Sequence, residues 1–283
     1  MGIKGILQFI KIEHTLFSLP FIFIGAWIGG EPTAEQICWI MLAAIGARGL
    51  AMSLNRIIDR DIDAKNPRTK NRHLATGELS MNMAWSLSAI FLLMLLIGAW
   101  NLNAVALAMS WLPVLAFVIY PYTKRFTWLC HFWLGLCLGL APAGAWLGIV
   151  GGDMGWEAIT GAYWYPTILW ICLGVMFWIA AFDLNYALMD IEYDRKHGIH
   201  SFPAKFGEHN TMRTSVQMTL FWFLCFAVAD PHEGSLFLLT ALVMSIMNAL
   251  VIIGQNRFND FQRTFFYTSV ITGWVLLGGL VLA

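Results

Sequence analysis

Two groups of acidic side chains are spaced so that each could line one face of a helix. Asn55, Asp59 and Asp63 recur every four residues, which places them on one stripe with about 6 Å of rise between neighbours. Asp61 falls on the opposite side of that helix and is interpreted as a solvated surface charge. Because like charges at this spacing destabilise a helix, a cationic partner is expected to hold the stripe together.

The second acidic group lies in the segment DLNYALMDIEYD, at the end of an apolar run. Its stripe positions, spaced i, i+3, i+7 and i+11, are Asp183, Tyr186, Asp190 and Asp194. Glu192 is off this stripe. Charged helix ends that pair with nearby Arg could explain either group alone. Two such groups instead favour Mg²⁺, a hard cation that binds through one or two carboxylates together with substrate phosphates.

Basic side chains near both groups could bind those phosphates. Arg68 and Arg72 follow the first group four residues apart, and Lys124 comes four residues after Tyr120 in the segment VIYPYTK. Arg offers a planar fork to phosphate oxygens, and Lys offers a point charge. This combination predicts a site for a Mg-bridged diphosphate. Ordinary membrane-face charge is the preferred interpretation of the other bases nearby: Lys65, Lys70, Arg125, Lys196, Arg257 and Arg263.

Membrane-spanning helices are predicted to carry these groups. The 283-residue chain is 59% hydrophobic and 12% charged, whereas soluble domains carry roughly 25% charged residues. We predict an all-α, polytopic membrane protein in which nine transmembrane helices form one domain, residues 1–283, around a central cavity. The predicted spans are residues 14–30, 36–57, 82–100, 103–121, 128–150, 164–188, 214–230, 235–254 and 265–283.

The loops that connect the predicted spans differ in charge between the two sides of the membrane. Those after the first, third, fifth and seventh runs contain no Lys or Arg, and every Lys and Arg except Arg48 lies toward the other face. The positive-inside rule then places the N-terminus and both acidic groups on the cytoplasmic side and the C-terminus outside. The odd span count gives the same result. We therefore expect an integral protein of a cell or inner membrane, in contact with lipid, whose cavity opens to the cytoplasm.

The remaining polar features give weaker indications. The opening MGIKGILQFIK is predicted to lie at the membrane interface, with Lys4 and Lys11 toward lipid headgroups. The five cysteines form no CxxC pair and the seven histidines show no zinc spacing, so a disulfide or zinc framework is not expected. The net charge of zero says nothing about a nucleic-acid partner, and none is expected.

Taken together, the motifs resemble those of the UbiA-type intramembrane prenyltransferases. The first acidic group has the sequence NRIIDRDID, similar to their NxxxDxxxD motif, and the second resembles their DxxYxxxD motif followed by another Asp. The family's YxxxK element is similar to YPYTK, and its NxRTxxRPLxxG loop to NPRTKNRHLATGELS, with His73 where Pro is common. The resemblance covers nearly the whole chain. The opening EHTLFSLPF and the GAR before the first motif look closest to the branch of 4-hydroxybenzoate polyprenyltransferases and related menaquinone enzymes.

The resemblance implies Mg-dependent transfer of a polyprenyl group from a polyprenyl diphosphate to an aromatic carboxylic acid in quinone synthesis. The acceptor would be 4-hydroxybenzoate or, alternatively, a naphthoate of menaquinone synthesis. The implied metal ligands are Asn55, Asp59, Asp63, Asp183, Asp190 and Asp194. The five aspartates, with Lys124 and Tyr120, are the predicted catalytic residues. Arg68, Arg72 and Tyr186 are predicted to bind substrate.

Arg48 is the predicted contact for the acceptor. It lies seven residues before Asn55, about two turns deeper along the same helix face. A guanidinium at that depth needs an anionic partner. The resemblance suggests a benzoate carboxylate as the partner, and the alternative is a structural pair with one of the site's own aspartates.

Two other protein classes are alternatives to this interpretation. Intramembrane carboxylates also serve cation-coupled transporters, but here the charges cluster at one face rather than at the midplane. A CDP-alcohol phosphotransferase would show a compact Asp/Gly/Ala/Arg signature, which the sequence lacks.

Six aromatic residues could flank an allylic cation, although aromatic membrane belts are the commoner explanation. They are Trp128, Phe132, Trp133, Trp146, Phe177 and Trp178.

Overall fold

The computed structural model describes residues 3–11, 15–231 and 236–283. Glu13 and His14 of the EHTLFSLPF segment, the Lys4 side chain and the predicted first residues of the spans at 14 and 235 lie outside this description. In the part described, the regular structure is helical, as predicted. The helices are α1 Ile3–Phe9, α2 Thr15–Gly29, α3 Ala34–Ile58, α4 Arg60–Lys65, α5 Met81–Leu102, α6 Ala104–Met109, α7 Trp111–Thr123, α8 Cys130–Met154, α9 Glu157–Thr160, α10 Thr167–Ala187, α11 Ile191–His197, α12 Phe202–Ala229, α13 Leu236–Ile253 and α14 Phe261–Val281.

Eight helical segments within the described ranges are long and apolar enough to cross a membrane. Two of them combine neighbouring helices, α6 with α7 and α10 with α11. The remaining predicted span, residues 14–30, corresponds to α2, an apolar helix of 15 residues. At 1.5 Å per residue α2 is about 22 Å long, which is shorter than the roughly 30 Å hydrocarbon core. The predicted membrane architecture is therefore confirmed, with one helix shorter than a full span.

The largest difference from the predicted limits is at α12. The helix begins at Phe202, twelve residues before the predicted start at 214, and it is kinked at Gly207, whose φ of 81° is not helical. Charged and polar residues follow this kink, so a hydropathy pattern misses the segment before residue 214. Ser201 caps its first turn by accepting a hydrogen bond from the Ala204 amide at 3.4 Å.

Glycines allow each helix that carries an acidic group to pack closely against a neighbouring helix. A Cβ added at Gly46 of α3 would lie 2.4 Å from the Leu95 nitrogen of α5. A Cβ at Gly135 of α8 would lie 2.3 Å from the Met176 oxygen of α10. Small residues at such crossings let membrane helices pack backbone to backbone. These close crossings fix the positions of α3 and α10 in the bundle.

Candidate active site

The two acidic groups lie on the walls of one cavity of about 290 Å³. This arrangement is what the proposed pairing of the stripes requires, because they come from segments more than a hundred residues apart. Every site residue predicted from the sequence lines the cavity. They are Arg48, Asn55, Asp59, Asp63, Arg68, Arg72, Tyr120, Lys124, Asp183, Tyr186, Asp190 and Asp194.

The first acidic stripe crosses a break between two helices. α3 ends at Ile58, Asp59 has non-helical backbone angles, and α4 begins at Arg60. Helical hydrogen bonds nevertheless continue across the break and keep the stripe on one face. The Asp59 amide donates to the Asn55 carbonyl at 3.0 Å, and the Asp63 amide donates to the Asp59 carbonyl at 2.8 Å. Asp61 is exposed, as predicted.

The second stripe is also interrupted. α10 ends at Ala187, a 3₁₀ turn spans Leu188–Asp190, and α11 then carries Asp194. Glu192 is exposed, in agreement with its predicted place off the stripe. The Tyr193 hydroxyl donates to the Ile62 carbonyl at 3.1 Å and so fastens α11 to α4.

A direct hydrogen-bonded link joins the two acidic groups. The Asn66 amide nitrogen, just after α4, donates to Asp190 Oδ1 at 3.0 Å. Arg68 donates from Nε to both Asp190 oxygens, at 2.9 and 3.0 Å, and from Nη2 to Oδ2. This bidentate contact is the strong form of an Arg–carboxylate pair. The loop after α4 therefore closes against the 3₁₀ turn after α10.

The other predicted phosphate-binding bases also contact predicted metal-binding carboxylates. Arg72 Nη1 lies 2.6 Å from Asp63 Oδ2, and Lys124 Nζ lies 2.6 Å from Asp59 Oδ2. Pairing with nearby bases was the simpler explanation of the acidic groups, and such pairs do form. The Arg68 pair, however, joins the two groups across the cavity, which a helix end paired with its own neighbours would not do.

Asp59 is the most buried of these carboxylates, at 1% exposure. Burial raises the pKa of its carboxyl above the usual range, while Lys124 and Arg125 act in the opposite direction. Oδ2 accepts hydrogen bonds from Asn55 and Lys124. Oδ1 has no hydrogen-bond partner among the described residues, although Arg125 Nη2 lies 3.6 Å away. Within the described ranges, one carboxylate oxygen of the site is therefore buried without a hydrogen bond.

Three residues of the site were missed by the sequence analysis. His131 Nδ1 lies 2.7 Å from Asp183 Oδ2. Arg125, interpreted as ordinary membrane-face charge, donates to the Ile58 carbonyl at 2.7 Å and neighbours Asp59. Asn66 bonds Asp190. No local spacing signals the His131 pair, because its members are 52 residues apart.

The donor set of the cavity fits Mg²⁺ better than a metal held by protein alone. Among the described residues, no group of three or more His, Cys, Asp or Glu side chains is arranged to hold a metal ion. The cavity does offer carboxylates from both acidic groups, including the unbonded Oδ1 of Asp59. Magnesium commonly uses one or two carboxylates and completes its shell with water and substrate phosphates.

A second, larger cavity of about 590 Å³ adjoins the first. The two share five lining residues: Arg48, Ala51, Phe117, Cys137 and Leu138. Of the described residues that line the larger cavity, Arg48 is the one with a charge, and most of the others are Ala, Leu, Met or Gly. A charged chamber therefore opens beside an apolar one, with Arg48 at the boundary.

The site's aspartates form ion pairs with Arg68, Arg72, Lys124, Arg125 and His131. For Arg48, both partners proposed from the sequence, an acceptor carboxylate and an aspartate of the site, stay predictions.

Two predicted features lie elsewhere in the structure. Lys11, expected to face lipid headgroups, lines the charged cavity, because the preceding Phe9 and Ile10 are buried against α3 and α5. Of the six aromatic residues expected to flank a cation, Trp146 alone lines either cavity, on the apolar side. Trp178, for example, stacks on Phe17 at 4.4 Å within the helix core. The charged cavity instead takes its aromatic lining from Phe17, Phe117, Tyr120, Phe182 and Tyr186.

The family of the protein follows from a match along most of its length. The model of the UbiA prenyltransferase family matches residues 18–271. The chain belongs to this family. The sequence-based resemblance is thus confirmed, and this UbiA-family chain is an integral membrane protein of a prenyltransferase family.

Individual relatives support the same assignment. The 4-hydroxybenzoate octaprenyltransferase of Shewanella sp. strain ANA-3 is 29% identical over 257 residues, covering 89% of this chain and 85% of the relative. The 4-hydroxybenzoate octaprenyltransferase of Haemophilus ducreyi is also 29% identical, over 246 residues, covering 86% of this chain and 83% of the relative.

Solved structures show the same fold. The apo structure of a UbiA homologue from Aeropyrum pernix K1 has a TM-score of 0.82 and 31% identity, covering 96% of this chain and 98% of that chain. A UbiA homologue from Archaeoglobus fulgidus, bound to DMAPP and Mg²⁺, has a TM-score of 0.70 and 18% identity, covering 98% of each chain. At that identity the second structure supports the fold alone.

Proposed function

We propose that this UbiA-family enzyme transfers a polyprenyl group from a polyprenyl diphosphate to an aromatic carboxylic acid in quinone biosynthesis, and that transfer requires Mg²⁺. The acceptor best supported is 4-hydroxybenzoate, which the names of the Shewanella and Haemophilus relatives contain. The observation that carries the proposal is one cavity holding both acidic groups and their bases beside an apolar chamber. A naphthoate acceptor is the alternative.

The charged cavity suits the diphosphate end of the donor. Arg68, Arg72 and Lys124 would exchange their carboxylate partners for diphosphate oxygens, with the Tyr120 hydroxyl beside them. When bound, Mg²⁺ supplies Lewis-acid stabilisation of the leaving diphosphate, held by carboxylates of both acidic groups. As the C1–O bond breaks, its electron pair goes to the diphosphate, and the bases stabilise that charge.

The apolar cavity suits the polyprenyl tail. Its lining leaves the allylic cation formed at C1 without water as a competing nucleophile. An electron-rich ring carbon of the acceptor forms the new C–C bond, and the ring then loses a proton. We further propose that residues 1–283 act as one domain and that the charged cavity opens to the cytoplasm, as the distribution of Lys and Arg favours.

The proposed reaction predicts a divalent-metal requirement and an aromatic product. Purified protein incubated with geranyl diphosphate, a panel of aromatic acids and Mg²⁺ should release pyrophosphate and form a prenylated acid that mass spectrometry identifies. Chelation with EDTA should abolish both signals, because without the metal the charge of the leaving diphosphate is uncompensated. Added Mg²⁺ should restore both signals. Uptake of a substrate into vesicles without any turnover would contradict the proposal and favour a transporter.

The position of Arg48 predicts that the enzyme selects acceptors that carry a carboxylate. Its place at the boundary of the two cavities suits a carboxylate whose ring reaches the prenyl C1. Arg48→Ala should lower kcat/KM for carboxylated acceptors by about tenfold to a hundredfold, the size of a lost charge-assisted hydrogen bond. Cleavage of prenyl diphosphate should persist, measured as pyrophosphate release. Arg48→Lys is the matched control that keeps the charge, and equal loss of both activities in Arg48→Ala would contradict acceptor binding.

A further inference from the structure

His131 is a buried histidine whose two ring nitrogens both have partners. It lies at the start of α8 and is 4% exposed. Nδ1 lies 2.7 Å from Asp183 Oδ2 on α10, and the backbone amide of Phe202, at the start of α12, donates to Nε2 at 3.2 Å. The ring therefore joins three helices at the second acidic group.

These contacts determine where the ring proton lies. A backbone amide can only donate, so Nε2 must supply its lone pair and carry no hydrogen. The hydrogen of the neutral ring is then on Nδ1, which donates it to Asp183. Because the amide of Phe202 belongs to the first turn of α12, the fold itself selects the tautomer that bonds the carboxylate.

We propose that His131 is a positioning residue that fixes the orientation of Asp183 for the transfer reaction. By holding Oδ2, it prevents rotation of the carboxylate and leaves Oδ1 for the cation that accompanies the diphosphate. Hydrogen-bond partners of this kind commonly orient metal-binding carboxylates and set metal affinity. Since both ring nitrogens are engaged, His131 acts through Asp183 rather than on substrate. The inference rests on the proposed function, because it needs Asp183 as a metal ligand.

Two substitutions separate the contacts of the ring. In His131→Asn the amide nitrogen takes the place of Nδ1, so the donor to Asp183 is kept while the acceptor for Phe202 is lost. In His131→Gln the terminal amide takes the place of Nε2, so the acceptor is kept while the donor is lost. A purely structural tie between helices would suffer from both changes, whereas positioning of Asp183 should suffer from His131→Gln alone.

The experiment measures metal binding as well as turnover. Calorimetric titration of purified protein with Mn²⁺ in the presence of methylene diphosphonate gives the metal affinity, and the Mg²⁺ dependence of kcat is measured in parallel. We expect His131→Gln to weaken metal affinity by about tenfold to a hundredfold, and His131→Asn to stay near wild type. Thermal unfolding without metal reports on folding of each variant.

The other outcomes have definite meanings. Equal weakening of both variants, or no weakening of either, overturns the positioning role. A wild-type protein that needs no divalent cation would instead contradict the proposed function, which keeps the two failures distinct. If His131→Gln does not fold, nitrogen-15 NMR of wild-type protein labelled at histidine is used to determine which ring nitrogen of His131 carries the hydrogen. The signal of His131 is identified by its absence from the spectrum of His131→Asn. A hydrogen on Nε2 rather than Nδ1 would overturn the inference.

Discussion

Replacement of Asp59 by Asn should lower kcat by about a hundredfold to a thousandfold, as when an enzyme loses one group that stabilises the transition-state charge. Asn keeps the shape of the side chain but removes its negative charge. Lys124 and Arg125, which lie 2.6 and 3.6 Å from the Asp59 oxygens, would then face a neutral amide. Product formation and pyrophosphate release from geranyl diphosphate, measured at saturating Mg²⁺, test this expectation.

The matched control for this change is Asp61→Asn. Asp61 lies two residues further along, on α4, and is exposed. The same chemical change there should leave kcat close to wild type, because the residue is not part of the cavity lining. Near-normal activity in Asp59→Asn, or equal losses in both variants, would remove the first acidic group from the mechanism.

Filling the apolar cavity at Gly144 should shorten the prenyl chain that the enzyme accepts. Gly144 of α8 lines this cavity, and a Cβ built there meets no atom within 4 Å among the described residues. A Phe side chain would therefore occupy space proposed for the prenyl tail without displacing the backbone. For Gly144→Phe, we expect kcat/KM to fall about tenfold to a hundredfold with octaprenyl diphosphate and to change little with geranyl diphosphate.

Gly152→Phe provides the control for chain-length selectivity. Gly152 is on the same helix, a Cβ there also meets no described atom within 4 Å, and the residue does not line either cavity. Both variants add the same apolar side chain, so effects on helix stability and membrane insertion should be similar. If Gly152→Phe changed the donor preference as much as Gly144→Phe does, the tail would not lie where we propose.

The acidic and basic side chains that line the charged cavity are balanced in number. Its lining contains five Asp and five Lys or Arg side chains. Unpaired charges at such a position are costly, and pairs recover the cost only when their geometry is good. The bidentate pair between Arg68 and Asp190 meets this condition. We expect diphosphate and divalent cation to bind together for the same reason, since either alone would leave part of this set uncompensated.

Local sequence patterns were sufficient to predict the helical membrane class, the two acidic stripes and the bases that accompany them. These features depend on local chemistry. Hydropathy over about 20 residues reports a membrane span, and the 3.6-residue period reports which side chains share a face. That is why Asp59 and Asp63 were correctly separated from Asp61, although the helix breaks between α3 and α4.

The partners that these groups contact depend on how the helices pack against one another. The contact of His131 with Asp183, the boundary position of Arg48 and the burial of Phe9 that directs Lys11 inward all join segments distant in the chain. Such contacts follow from how closely the helices pack at residues such as Gly135. A periodic pattern records which face of a helix is buried, but not which helix covers it, and so it carries no information on these pairs.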